Sequence, residues 1–281
     1  MAPLLGQRPN QITSEAAVTI CRNFDSEIVK LLLDRRGDHI QVPEDVVKAA
    51  ASNPFHAKEV MTLLLDRRGD QIQITEDVVK AAASSPGNGK EVMALLLDRR
   101  GDQIVITGDV VEVAASNWGN GKEVMTLLLD RRGDRIQVTE DVVKAAAGNE
   151  GNGKAVMALL LDQRGDQIQV TEDVVKAAAG NEGNGKAVMA LLLDQRGDQI
   201  QVTEGVVKAA AGNEGNGKAL MTLLLDQRGD QIRVTEDVVK AAVSNEWSGK
   251  KVMALLLDRL GDQVEDLVED VIKAAARNSM S

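Results

Sequence analysis

The stretch EGNGKAVMALLLDQRGDQIQVTEDVVKAAAGN, Glu150 to Asn181, is followed by the same 32 residues again, Glu182 to Asn213, with one change: Gly205 where the first copy has Asp173. Less perfect copies start at Pro54, Pro86, Trp118, Glu214 and Glu246, and a shortened one surrounds Leu31 to Asn53. A fixed period of this length marks a supersecondary element that cannot bury its apolar face alone, so neighbours must stack to make a core. The chain therefore reads as one elongated repeat domain over 1–281: a partial repeat at 1–25, repeats at 26–53, 54–85, 86–117, 118–149, 150–181, 182–213 and 214–245, and a divergent capping repeat at 246–281.

Within a copy, Lys58 to Arg68 places Val60 with Leu64 and Met61 with Leu65 four apart, adding Leu63 beside them, which predicts an amphipathic helix. Arg67 and Arg68 suit its last turn, and Gly69 stands where a left-handed residue would close it. Gln71-Ile72-Gln73-Ile74 alternates, suggesting a short extended crossing with both isoleucines turned inward. Thr75 is a natural N-cap; Glu76 and Asp77 follow it, and Val78, Val79, Ala81, Ala82 and Ala83 make a second, shorter helix. The expected fold is all-α: an α-solenoid of two-helix repeats, each with a short extended crossing and a Gly/Asn loop such as Gly148 to Gly153. Leu4 to Thr13 follows the second half of a repeat, so the array is expected to continue upstream or to begin in a degraded cap. The last repeat departs from the pattern at Leu260.

Composition narrows the function. The net charge of −10 and the scarcity of aromatics (Phe24, Phe55, Trp118, Trp247) argue against nucleic acid, which needs concentrated cations and stacking platforms. No run of 18 apolar residues suggests a membrane span, and a single cysteine with no signal segment fits the cytoplasm. Cys21 occupies the place of Ala51 and Ala83, so it reads as a small buried side chain. His39 and His56 have no ligand-spaced partners, and neither a metal nor a cofactor is expected.

Three motifs invite chemistry, and each has a plainer reading. Gly148 to Lys154, Gly180 to Lys186 and Gly212 to Lys218 satisfy G-x-x-x-x-G-K, but Ala155, Ala187 and Ala219 follow where a phosphate loop needs Ser or Thr. Arg-Gly-Asp occurs seven times, from Arg36 to Asp230, always at the expected helix end. Adjacent carboxylates such as Glu140-Asp141 and Glu172-Asp173 point to different sides of a helix, which does not suit a paired acid and base; they fit a helix N-terminus and, in a stack, an acidic ladder. No catalytic set emerges, and the chain is expected not to be an enzyme.

Thr171, Ala178 and Ala179, read with Val156, Leu159, Leu160, Leu161, Gly165 and Asp166, resemble the ankyrin repeat, although Glu172-Asp173-Val174 replaces its Pro-Leu-His and the period is 32. The phrase G-K-x-V-M-x-L-L-L-D-x-R-G-D-Q-I-x-V/I-T-E-D-V-V-K-A-A-A also resembles the C-terminal repeats of fungal NACHT-type NOD-like receptors. That resemblance implies the sensing array of a larger immune receptor. The expected function is recognition of a protein or a repetitive non-self ligand, with specificity at positions where the copies differ. After Gly-Asp these are His39, Gln71, Gln103, Arg135, Gln167, Gln199 and Gln231, and two residues on they include Val105 and Arg233. In the inter-helix loops they are Phe55, Trp118, Glu150, Glu182, Glu214 and Trp247. The alternative is a structural spacer or rod associating end to end through Leu4 and Leu5.

Overall fold

The computed structural model describes residues 13–36, 42–261, 264 and 267. Leu4, Leu5, His39, Gln41 and nearly all of the tail beyond Gly261 lie outside the described residues. The chain divides into two compact units, Met1–Ile136 and Gln137–Ser281. In the first, short and long helices alternate as α1 (Ser14–Asn23), α2 (Ser26–Arg36), α3 (Glu44–Ala51), α4 (Ala57–Arg68), α5 (Glu76–Ser84), α6 (Gly89–Arg100), α7 (Gly108–Ser116) and α8 (Gly121–Arg132). The second repeats the order as α9 (Glu140–Gly148), α10 (Gly153–Arg164), α11 (Glu172–Gly180), α12 (Gly185–Arg196), α13 (Glu204–Gly212), α14 (Gly217–Arg228), α15 (Glu236–Ser244) and α16 (Gly249–Leu260). Within each unit the odd-numbered helices pack on one another in one layer and the even-numbered helices in a second, giving the two-layer stack of an α-solenoid. No strand is present among the described residues.

The short helices start as their sequence dictates. Thr75, Thr107, Thr171, Thr203 and Thr235 each accept a backbone N–H three residues on, and an acidic residue follows in the first turn. Val78, Val79, Ala82 and Ala83 are buried, and the small alanines let each short helix lie closer to its neighbours than the long helices do to theirs. In the long helices Val60, Met61, Leu64 and Leu65 are buried, each large side chain contributing about 1.5–3 kcal/mol of transfer free energy. Leu63 is on the other side and half-exposed, with Leu95, Leu127, Leu159, Leu191 and Leu223 in the same condition.

Gly69 does not take the left-handed conformation expected of it: its φ and ψ are −56° and −32°, and Gly101, Gly165, Gly197 and Gly229 match it closely. The only positive φ among the described residues is at Gly261, 26°. The chain instead runs from the long helix into a turn of 3-10 helix, as at Gly101–Gln103 and Gly197–Gln199. Glycine leaves room there for the next repeat. Arg100 of the next repeat donates to the Gly69 carbonyl at 2.7 Å, and a Cβ on Gly69 would run into the Leu65 carbonyl oxygen and lie 2.7 Å from that guanidinium. Arg132, Arg196 and Arg228 donate in the same way to Gly101, Gly165 and Gly197, each at 3.0 Å.

The crossing is extended, with Ile72 and Ile74 buried and Gln71 and Gln73 exposed, but it pairs into no ladder. A second set of bonds joins the loops. Asn117 is 3 % exposed; its Nδ2 donates to the carbonyls of Ala83 at 2.7 Å and Ser85 at 3.1 Å, and its Oδ1 accepts from Gly119 and Asn120. Two repeats further on, Asn181 donates in the same way to Ala147 and Asn149, and Asn213 and Asn245 repeat the donation at one-repeat steps after it. The series is an asparagine ladder that satisfies backbone groups at the closely packed ends of the short helices. Ser85 breaks it: the side chain is buried and its hydroxyl has no hydrogen-bond partner among the described residues. By register an asparagine there would reach the carbonyls of Ala51 and Asn53, so Ser85→Asn is expected to stabilise the protein by about 1 kcal/mol. A thermal midpoint that fails to rise would count against the ladder. Cys21 is buried in α1, as its alanine-equivalent place implies, and burial pushes its thiol up to about 11.

Candidate recognition surface

Antiparallel helices sort the divergent positions into two groups. Gln71, Gln103, Val105, Arg135, Gln167, Gln199, Gln231 and Arg233 lie in the connections after the long helices; Phe55, Trp118, Glu150, Glu182, Glu214 and Trp247 lie in the loops before them. All of these side chains are exposed, and His39 falls outside the described residues. The two groups do not converge: a 12-residue helix such as α14 holds them about 18 Å apart.

On the connection edge, part of the expected recognition set is committed to the fold. The Val170 N–H donates to Gln199 Oε1 at 3.4 Å and the Val202 N–H to Gln231 Oε1 at 3.0 Å, so these amides satisfy the crossing of the preceding repeat, the role a paired strand would otherwise fill. Val105 and Arg135 come together from consecutive repeats around a pocket of about 430 Å³. Arg132 closes that pocket while bonding the Gly101 carbonyl. Arg100, Arg132, Arg196 and Arg228 are the arginines of Arg-Gly-Asp triplets, and they are half-buried against the preceding repeat instead of being displayed on a loop tip.

On the loop edge, consecutive loops lie one on another. Asn88 donates to the Pro54 carbonyl at 2.9 Å, and Asn184 and Asn216 donate to those of Glu150 and Glu182. A Cβ on Gly119, Gly183 or Gly215 would run into the carbonyl of the loop before it. The glycine inside the G-x-x-x-x-G-K phrase, Gly183 or Gly215, thus serves close stacking. The backbone N–H groups that a phosphate would need are already held, Gly151 and Asn152 by Asn149 Oδ1 and Asn184 by Asn181 Oδ1. Trp118 stands at the tip of its loop, 66 % exposed, and Trp247 at the tip of the last, 77 % exposed.

The period of these bonds is the period of a known domain. A family model described as a domain of unknown function, DUF7104, matches residues 31–61, 63–93, 95–125, 127–157, 159–189, 191–221, 223–253 and 255–281. The chain belongs to the DUF7104 family. No curated protein and no solved structure matches it. Each complete DUF7104 match opens at a leucine in the middle of one long helix and closes in the next, so the family unit brackets one short helix and the bonds on either side of it. No described helix is long and apolar enough to cross a membrane.

The DUF7104 repeats also differ on a face that reading the loops alone overlooks. Beside the first lysine of each long helix stand Glu59, Glu91 and Glu123 in the first compact unit, but Ala155, Ala187, Ala219 and finally Lys251 in the second. One residue before the helix end, Arg67, Arg99, Arg131 and Arg259 bind Asp34, Asp66, Asp98 and Asp226 of the preceding repeat at 2.9–3.1 Å, whereas Gln163, Gln195 and Gln227 replace them in between. The signal was in the sequence, in the same copy-to-copy comparison carried into the helices. On the short-helix face the expected acidic ladder is a mixed one. Thr75, Thr107, Thr171, Thr203 and Thr235 donate to the glutamate of the preceding repeat, and Lys80 and Lys208 pair with Asp109 and Asp237 of the next. Lys176 and Thr203 hold the Glu172 carboxyl below its ordinary range, and Lys208 does the same to Asp237.

Proposed function

We propose that this DUF7104 array is a non-catalytic binding module whose specificity resides in exposed positions that differ between repeats. One observation carries the reading: copies that keep the same buried Val, Met, Leu and Ala positions place Phe55, Val105, Trp118 and Trp247 in solvent, where folding does not call for large apolar side chains. The resemblance to ankyrin repeats and to the repeat arrays of fungal NACHT-type receptors supports a cytoplasmic sensing role for a protein or repetitive non-self ligand within a larger receptor. The near identity of residues 150–181 and 182–213 favours a second reading, a spacer or self-associating rod.

The two readings separate in a capture experiment with lysate of the parent organism and with microbial extracts. The native chain is compared with a variant reset to the consensus at Phe55, Val105, Arg135, Trp118, Arg233 and Trp247. A partner held by the native chain and lost from the reset variant is the expected result. Equal retention by both would move the contact to the repeated faces and overturn the assignment, and the absence of any partner for either would favour the spacer.

A further inference from the structure

We propose that the groove beside Trp247 in the second compact unit is a docking site for an acidic peptide segment of a partner protein, one that carries an aliphatic or aromatic side chain among its carboxylates. The inference rests on the binding-module reading and names its ligand chemistry at one place.

The groove exists because the last loop cannot stack as the others do. Trp247 stands where Gly119, Gly183 and Gly215 press against the preceding loop, and Ser248 stands where Asn184 and Asn216 reach back to its first carbonyl. Ser248 is too short for that bond. Its Oγ accepts from Asn245 at 2.8 Å and donates to the deeper Asn213 carbonyl at 3.1 Å, leaving the Glu214 carbonyl without, among the described residues, the side-chain partner that Glu150 and Glu182 have. Beside Trp247 and Ser248 is a space of about 510 Å³, room for a few side chains, open between α14 and the start of α16.

Its lining is apolar at the base and cationic at the rim. Ala219, Leu223 and the exposed Trp247 ring supply contact area, and Lys186, Lys218 and Lys251 are exposed around them with no ion-pair partner among the described residues. Of the two carboxylates in the lining, Asp226 is held by Arg259 at 3.1 Å, so only Glu214 opposes three ammonium groups. A groove of about 350 Å³ in the first compact unit uses the same repeat positions, Lys58, Thr62, Leu63 and Asp66, yet there Glu27 and Glu59 accompany Lys30 and Lys58. The cation excess therefore belongs to the Trp247 groove, on a chain whose net charge is −10. Carboxylates on a ligand would meet the lysines while an apolar side chain between them covers Leu223 and the indole, combining steering charge with a buried anchor. A nucleic acid fits less well, because Glu214 and the acidic chain repel a continuous phosphate backbone.

The test is fluorescence anisotropy of the full chain with a labelled peptide of alternating glutamate and leucine, beside an all-glutamate peptide, an alternating lysine and leucine peptide, and inorganic polyphosphate. The expected result is saturable binding of the glutamate–leucine peptide alone, weakened about tenfold by Lys218→Glu combined with Lys251→Glu, and similarly by Trp247→Gly. Phe55→Gly in the first compact unit should leave it unchanged. The lysines are exposed and Gly is the residue of the equivalent loops, so circular dichroism should show these variants folded. No saturable binding, equal binding of the all-glutamate peptide or polyphosphate, or full retention by Trp247→Gly would overturn the groove. Loss of the groove with a lysate partner still captured through the other divergent positions would leave the module reading standing, whereas peptide binding without any such partner would do the reverse.

Discussion

Asn181→Ala is expected to lower the stability of the chain by about 3 kcal/mol, measured as a reduced midpoint in chemical denaturation. The side chain is 2 % exposed and donates to the carbonyls of Ala147 at 2.8 Å and Asn149 at 3.0 Å, while its Oδ1 accepts the Asn184 N–H at 2.6 Å. Alanine would remove one donor group serving two buried carbonyls and one acceptor at the start of the next turn. Each buried polar group left unpaired costs about 1–3 kcal/mol, more than the bond itself contributes when made. Because a repeat contacts only its neighbours, amide exchange should rise around α11 and α12 and change little in α15. A loss below about 1 kcal/mol would mean that the rung is replaceable by solvent, and the ladder would then be a consequence of the packing instead of one of its causes.

The second large effect is Gly183→Trp, which moves the residue of the last loop into a central one. A Cβ at Gly183 would run into the Glu150 carbonyl oxygen, closer than real Cβ contacts come, and would lie 3.0 Å from the carbonyl carbon and Cβ of the same residue. The loop must retreat, and retreat breaks the Asn184 bonds to the carbonyls of Glu150 and Gly151. Steric displacement and lost bonds together are expected to cost about 2–4 kcal/mol. Trp247→Gly should be neutral within about 0.5 kcal/mol, because the exposed indole holds nothing comparable. The asymmetry between the two substitutions is the measurement. Equal effects would show that loop spacing is set by the helices alone.

The fold was legible because its signals are local and repeated. Leu64 and Leu65 fell on the buried stripe, Thr75 capped its helix, and Ile72 and Ile74 turned inward while Gln71 and Gln73 stayed out. What was not legible depends on contacts about 32 residues away. Gly69 read as a left-handed stop because that is glycine's commonest service to a helix end, but it stays right-handed and its carbonyl is held by the guanidinium of Arg100, invisible until the next repeat is laid on top. For the same reason Gln199 and Gln231 read as free recognition residues, although their amides complete a crossing in the preceding repeat. The candidate surface was half legible. Its loop positions stood out as differences against a constant background. The Glu59, Ala219 and Lys251 series was hidden inside a helix that pattern reading treats as scaffold.

The rungs described above all join a residue to one between 29 and 35 positions away, whether asparagine, arginine, threonine, lysine or serine carries the bond. No rung inside a compact unit refers to the position of its repeat in the array. Since residues 150–181 and 182–213 differ at one position, unequal exchange between the gene segments encoding them would add or delete a whole repeat and hand every rung a chemically equivalent partner. Array length is thus an inheritable variable that costs no new interface. A side chain such as Trp118 or Val105 travels with its repeat as a cassette.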